Sequence, residues 1–430
     1  MRRRKFYIKT FGCQMNELDS EMVRRMLEER GYVYTDNPDE ADVVLLNTCT
    51  VREKAARKAK HLVRYFSKRE KTTVVMGCLA QQEKENLLKE GADLVVGTRA
   101  FVEIPDLLES IGRQKVVCED IGLHYRVDRE VYPGQYSAYV SIQYGCDNFC
   151  TFCVVPYTRG REYSRPAGEI VAEVRRLDAA GVVEITLLGQ NVNSYFDGRY
   201  DFADLLMMVQ DNVRNVRRIR FTSPNPRDFS YKVLKVVAES DVITPWIHLP
   251  LQSGSDRVLK RMNRGYNRSE YLEQAAMIRE MMPFGTITTD IIVGFPGETD
   301  EDFEATLDVV RRVKYDGAYM FIYSQRPNTP AAFYRDQLPY DVKVERQRRL
   351  IEEVNRGILE RRKIFVGRED EVLIDGPSRK NPSESAGKLF NGLTVTVKGR
   401  FRPGEFVPVR IVGISGLTLK AEPLEVEATV

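Results

Sequence analysis

"GCDNFCTFCVVPYTRGREYSR", residues 145–165, places Cys146, Cys150 and Cys153 within eight positions and follows them with a proline and three arginines. An odd trio has no clean disulfide solution, whereas the spacing Cys-x3-Cys-x2-Cys suits three thiolates converging on one metal centre. Soft thiolates select iron–sulfur clusters, zinc or copper(I). A four-iron cube has four corners that each need a ligand, so three cysteines leave one iron open to a small molecule. The alternative is a zinc site completed from a distance, for which only His248 offers itself downstream. The trio closes the apolar run "AYVSIQY" (138–144), and that position at the end of a strand organises the rest of the chain.

From Ala138 a βα rhythm runs through six strand-like segments: "AYVSIQY", "VEITLLG", "RRIRFTS", "WIHLPL", "TTDIIVGF" and "AYMFIYS". Amphipathic segments such as "EIVAEVRRLDAAG" and "EDFEATLDVVRRVKYDG" intervene. Six such units make an open sheet or a partial barrel, and periodicity does not choose. Upstream, "KFYIKTFGC", "DVVLLNTC" and "TTVVMGC" end at Cys13, Cys49 and Cys78, and "DLVVG" follows. Apolar strands alternating with helices predict a parallel sheet covered on both faces. Ligands gather beyond the carboxyl ends of such strands, so three cysteines separated by 36 and 29 residues can share one site. Free cysteines also occur as plain buried core residues, the reading adopted for Cys118. Residues 113–137 carry no sustained periodicity. After a charged helix near 341–366, "EVLIDGP", "LTVTVKG", "FVPVRIVGIS" and "LTLKAE" predict a small antiparallel barrel or sandwich.

A chain of 430 residues with 43% hydrophobic residues can bury several cores. Net charge is only +3, but its distribution is uneven. Residues 52–71 hold nine Lys or Arg against two Glu, and residues 376–420 hold eight against two, two local positive fields. No apolar run reaches the length of a membrane span, and the basic start lacks a signal peptide's hydrophobic region. Seven cysteines without secretory context predict a reducing, cytoplasmic setting.

The pattern Cys146-x3-Cys150-x-Phe152-Cys153, ending the first of six βα units, resembles the radical S-adenosylmethionine motif. The flanks extend the likeness: "GCQMNELDSE", "NTCTVREKA" and "MGCLAQ" upstream, then "VVPYTRGREYSR", "LLGQNVNSY", "HLPLQSGSD", "MNRGY", "IIVGFPGETDEDF" and "YSQRPNTPA". Together they are similar to tRNA methylthiotransferases of that superfamily, with "GCQMN", "CTVREKA" and "GQNVNSY" closest to the MiaB branch. The C-terminal block resembles a TRAM domain. "SQRPNTPA" departs from the family's "YSPRPGTPA", with Gln325 for Pro and Asn328 for Gly.

The resemblance implies an α/β architecture of three domains and one linker. These are an N-terminal parallel α/β sheet domain (1–118), a linker (119–137), a central partial (βα)6 radical-SAM barrel (138–366) and a C-terminal TRAM-like β-barrel (367–430). It implies two 4Fe–4S clusters, one on Cys146, Cys150 and Cys153 with S-adenosylmethionine at its open iron, the other on Cys13, Cys49 and Cys78 carrying sulfur. The implied reaction is methylthiolation of carbon 2 of N6-isopentenyladenosine beside the tRNA anticodon, using two S-adenosylmethionine molecules. A reducing partner such as flavodoxin or ferredoxin and a sulfur donor are implied too, and a monomer is expected. Phe152 would lie beside the cofactor's adenine. Gln190, Asn191, Asn193, Ser223, Gln252 and Ser253, at strand ends, are cofactor-binding candidates, although Asn and Ser also terminate strands and cap helices. Arg159, Arg161 and Arg165 are candidates for phosphates of the anticodon stem-loop. Gly294, Gly297 and Glu298 are expected to shape a turn, and His248 to be a core histidine. Competing readings are methylthiolation of threonylcarbamoyladenosine in tRNA, the ribosomal-protein-modifying RimO branch, whose "GCPKN"-like start is absent, and a non-catalytic iron–sulfur RNA-binding protein.

Overall fold

The computed structural model describes residues 3–50, 53–110, 114–119 and 131–424; most of the expected linker, and His124, lie outside them. The chain divides into two compact units. One comprises Met1–Glu130, Tyr139–Asp147 and Cys153–Tyr163, the other Val131–Ala138, Asn148–Phe152 and Ser164–Val430.

In the first unit Val33–Tyr34, Lys5–Thr10, Val43–Thr48, Thr72–Gly77, Leu94–Val96 and Lys115–Val117 form one sheet in that order, parallel throughout. The central strands are wholly buried runs such as Val43, Val44, Leu45 and Leu46, as a sheet covered on both faces requires. Two strands depart from expectation. Val33–Tyr34 and Lys115–Val117, the latter inside a stretch read as aperiodic, add themselves to the two edges. Runs of two or three residues are too short to show a period.

In the second unit Glu184–Leu188 pairs in parallel with Arg218–Phe221, and Ile219 bonds onward to Val242 and Thr244. Trp246–His248, Thr286–Val293 and Gly317–Ile322 continue in parallel. Ser137–Ser141, the first strand of the series, begins in this unit and ends in the other. The intervening helices are set by strong start signals. Asp201 with Asp204, Asn267 with Glu270 and Thr299 with Asp302 each close a reciprocal capping box. The series is a partial (βα)6 barrel, which resolves the choice that periodicity left open.

The C-terminal strands Glu369–Pro377, Glu384–Lys388, Thr394–Lys398, Thr418–Pro423 and Phe406–Ser415 close, in that order, into a barrel around Val372, Ile374, Val395, Val397, Val409 and Leu419. It has one strand more than the four read from the sequence: Glu384–Lys388, "ESAGK", carries too little apolar character to announce itself. One of its pairings, Thr394–Lys398 with Thr418–Pro423, is parallel. Among the described residues no helix is long and apolar enough to cross a membrane.

Candidate functional site

The N-terminal cysteines sit where a parallel sheet presents its ligand-binding edge. Cys13 is the N-cap of the helix Gln14–Glu29, Cys49 follows the strand Val43–Thr48, and Cys78 opens the helix Cys78–Glu83. The three strands they end are neighbours. The turn before Cys78 depends on Gly77, whose φ of 92° lies in the left-handed region and where an added Cβ would come 2.4 Å from Asn47 Oδ1. Asn47 in turn accepts from Asn16 Nδ2 at 2.7 Å and donates to Ser20 Oγ at 2.9 Å. Cys13 Sγ donates to Asn16 Oδ1 at 3.4 Å. Burial pushes the Cys78 thiol up to about 11, the guanidinium of Arg159 opposes this, and Cys13 and Cys49 add to it.

These three sulfurs fit a cluster by donor type and by placement.

The radical-motif stretch is anchored from both sides. In the first unit Gly145 takes φ 68°, and the backbone of Arg161 passes so close that a Cβ there would meet its carbonyl oxygen at 2.0 Å. Cys146 N–H donates to Gly160 O at 3.2 Å. In the second unit Thr151 donates through its N–H to Met262 O at 3.0 Å and through its hydroxyl to Arg261 O at 2.9 Å. Asn263 Nδ2 reaches Asn148 O at 3.0 Å. Phe152 packs on Val258, Met262, Phe295, Tyr323 and Ala331. Buried Arg264 donates to Cys150 Sγ at 3.2 Å, Tyr266 Oη at 3.3 Å and Asn225 Oδ1 at 3.4 Å. Burial alone would weaken its charge, but Tyr266 and Cys150 outweigh that and raise its pKa. Arg264 lies within "MNRGY", a stretch that carries the family likeness without marking this residue. Its one signal was an arginine among helix-ending residues.

The candidate polar residues divide. Asn193 is clamped to the backbone of Asn225, donating to its carbonyl at 2.8 Å and accepting its N–H at 2.7 Å. Asn191 Nδ2 donates to Asp228 at 2.8 Å, and Gln190, half-buried, precedes it. Ser253, buried, serves the turn before the helix Asp256–Arg261 by accepting from Ser255 N–H at 3.3 Å. Ser223 and Gln252 both hold positive φ, 60° and 62°, in the segments that follow the barrel strands Arg218–Phe221 and Trp246–His248. Such strain in non-glycine residues concentrates at functional positions. Ser223 is exposed, and Gln252 keeps its side-chain oxygen buried without a hydrogen bond. Asn328, where the family's glycine is replaced, adopts φ 67°, a conformation Asn tolerates. Glu298 accepts from Gly294 N–H at 3.0 Å and pairs with Arg346 at 2.6 Å, so it shapes the turn as expected. His248 is mostly buried beside Thr288 and Asp290.

The three arginines have different surroundings. Arg161 is largely exposed beside Asp147. Arg165 is buried against Glu173 at 2.9 Å, and Arg159 is buried against Asp19 at 3.0 Å. The two buried side chains do not face solvent, where phosphates were expected to be met.

Comparison with known proteins agrees with this arrangement. Residues 140–310 match the radical SAM superfamily, residues 5–97 the uncharacterized protein family UPF0004, and residues 363–424 the TRAM domain. The chain is thus a radical-SAM protein with an N-terminal cysteine-bearing segment and a TRAM barrel. It is 44% identical over 433 residues to a tRNA-2-methylthio-N(6)-dimethylallyladenosine synthase from Dictyoglomus thermophilum, spanning 97% of this chain and 98% of the relative. A synthase of the same name from Symbiobacterium thermophilum is 41% identical, over 98% and 95% of the two chains. The chain belongs to this synthase family. Among solved structures, the radical S-adenosylmethionine methyltransferase TsrM from Kitasatospora setae shares the fold, with a TM-score of 0.58 and 14% identity over 76% of this chain and 75% of that one.

Proposed function

We infer that the chain methylthiolates carbon 2 of N6-isopentenyladenosine, also called dimethylallyladenosine, beside the anticodon of tRNA. The observation that carries this reading is the company Cys13, Cys49 and Cys78 keep within the first unit. Cys146 and Cys153 belong to the same unit, and the short helix Val155–Thr158 that follows Cys153 packs on the helix Cys78–Glu83. One site equipped for radical generation and a second equipped for sulfur is what converting a ring C–H into C–SCH3 requires. A 4Fe–4S cluster on each trio, with S-adenosylmethionine, supplies the electron and sulfur chemistry that polar side chains lack.

The chain's own residues bind and orient. Cys146, Cys150 and Cys153 hold the first cluster, and Cys13, Cys49 and Cys78 the second. Arg264 donates to Cys150 Sγ from a buried position, an interaction that fixes the thiolate's direction and its charge environment. Phe152, half-buried on an apolar bed, supplies an aromatic ring suited to an adenine. Gln252, with its oxygen unsatisfied and its backbone strained, is the candidate cofactor contact best supported by geometry. Arg161 and the exposed Arg379, Lys380, Arg400, Arg402 and Lys420 of the TRAM barrel offer cations to RNA phosphates. A cytoplasmic monomer, reduced by a flavodoxin or ferredoxin and fed by a separate sulfur donor, completes the reading.

The test is anaerobic reconstitution with iron and sulfide, followed by reductant, S-adenosylmethionine and isopentenylated tRNA, with mass spectrometry of the digested nucleosides. Methylthio-isopentenyladenosine is expected from the parent. Cys13→Ala is expected to lose it while still releasing 5′-deoxyadenosine, and Cys150→Ala to lose both. Parent protein that makes 5′-deoxyadenosine but not the nucleoside would mean a different substrate. Full product from Cys13→Ala would remove the second cluster from the reaction.

A further inference from the structure

A cation close to the N-terminal cysteines comes from outside the N-terminal segment. Arg159 lies six residues beyond Cys153 and is only 5% exposed. Its Nη2 donates to Asp19 Oδ2 at 3.0 Å and to Asn16 Oδ1 at 3.3 Å. Asn16 Oδ1 is the same atom that accepts from Cys13 Sγ. Asn16 and Asp19 ride on the helix that Cys13 caps. The backbone carrying Arg159 is pinned: Arg99 Nε donates to Arg159 O at 3.0 Å, and the Thr98 hydroxyl donates to Thr158 O.

A structural ion pair accounts for Asp19, since a buried carboxylate needs a partner. It does not account for the shared Asn16 oxygen, nor for the packing of the helix Val155–Thr158, which Arg159 follows, on the helix that Cys78 opens. A guanidinium fixed beside cluster-holding cysteines stabilises their ligating form, and losing a partner that orients metal ligands weakens the site.

We propose that Arg159 is a positioning residue for the N-terminal iron–sulfur cluster, its guanidinium stabilising the thiolate set of Cys13, Cys49 and Cys78 from the chain segment that also carries Cys153. This rests on the reading of that trio as a second cluster site. The arginine after the radical motif would then serve the other metal centre, and assembly of the sulfur-bearing site would depend on correct folding of the radical-motif segment.

The test uses the full chain with Cys146→Ala, Cys150→Ala and Cys153→Ala, so that the N-terminal trio holds the only cluster. Iron retention against a chelator and the cluster's midpoint potential by EPR-monitored titration are the readouts. Arg159→Met is expected to retain iron about 10–100-fold more weakly, the usual cost of losing a partner that orients metal ligands, and to titrate at a lower potential. Arg159→Lys is expected to keep the potential near that of the parent, because it keeps the charge. If Arg159→Met fails to fold because Asp19 is stranded, the pair Asp19→Asn with Arg159→Met removes both charges and should fold. Parent-like iron retention and potential in that double variant would reduce Arg159 to a partner of Asp19 and overturn the proposal. If the parent trio takes up no iron, the second-cluster reading falls and this proposal with it. Iron uptake with an unchanged Arg159→Met sinks the proposal alone.

Discussion

Replacing Arg218 by Met should loosen the TRAM barrel. Arg218 lies on the barrel strand Arg218–Phe221 and is 1% exposed. Its Nη1 donates to Lys388 O at 2.7 Å and Leu389 O at 3.2 Å, and its Nη2 to Glu371 O at 3.0 Å. Phe406 approaches within 5.2 Å of the guanidinium. Burial drags its pKa down to about 10, against the pull of Glu184. Hydrogen bonds from a charged group contribute about 1.5–3 kcal/mol each, so three would exceed about 4 kcal/mol before desolvation of the guanidinium is set against them. Methionine fills the volume but removes this donor from Lys388 O and Glu371 O, while Leu389 O keeps the N–H of Gly392 at 2.9 Å; each buried acceptor left short costs about 1–3 kcal/mol. At about 3 kcal/mol the opening equilibrium of the affected strands rises roughly 100-fold. Amide hydrogen exchange of Glu384–Lys388 and Thr394–Lys398 in the full-length protein should show that loss of protection. Arg217 is the internal control. Its pair with Glu371 at 2.8 Å is largely exposed, so Arg217→Met should cost at most about 1 kcal/mol. Equal exchange in the two variants, or parent-like protection in Arg218→Met, would refute the reasoning.

Two further outcomes follow from charge. Arg400→Gln with Arg402→Gln should weaken tRNA binding and flatten the salt dependence of affinity by about 0.7–0.9 for each phosphate no longer neutralised, leaving S-adenosylmethionine cleavage unchanged; an unaltered slope would remove these residues from the RNA footprint. Burial alone would raise the pKa of Asp302, but Arg257, Ser255 and Thr299 together hold it down to about 2, so its contribution to stability is present above its unfolded value near pH 4 and lost as pH falls through about 2. Asp302→Asn should therefore be less stable than the parent at pH 7, with the gap closing by about pH 2 in denaturant titrations; a gap constant with pH would point to the capping geometry alone.

What the sequence disclosed was whatever repeats. Long buried strands and amphipathic helices show their period, so the six βα units and the central strands of the N-terminal sheet were legible. So was the grouping of Cys13, Cys49 and Cys78, because parallel strands place their ends together whatever lies between. The two edge strands, with two and three residues, have no period to read. "ESAGK" entered the TRAM barrel by pairing rather than by apolar content, since both its neighbours offer open edges. Asn328 could be anticipated only as a departure from a glycine; its φ of 67° shows why that departure is tolerated.

The arginines of "TRGREYSR" mark where such reading stops. Three like residues within seven positions look alike as a basic patch, and a phosphate-facing role for all of them is the simplest inference. Their environments are set by backbone direction instead. The helix Val155–Thr158 ends one residue before Arg159, Gly160 follows at φ 78°, and the turn sends Arg159 inward while Arg161 stays outside. Arg165 then enters the helix-bearing second unit and meets Glu173 on the following helix. Composition alone cannot carry that information, because the partners Asp19 and Glu173 lie 140 and 8 residues away. A buried arginine costs several kcal/mol unless its partner is fixed, so each such pair is a constraint on tertiary structure rather than on local sequence. Burial therefore divides such an arginine run first: Arg159 and Arg165, paired with buried carboxylates, are constraints on the fold, and only the exposed Arg161 stays a candidate for RNA.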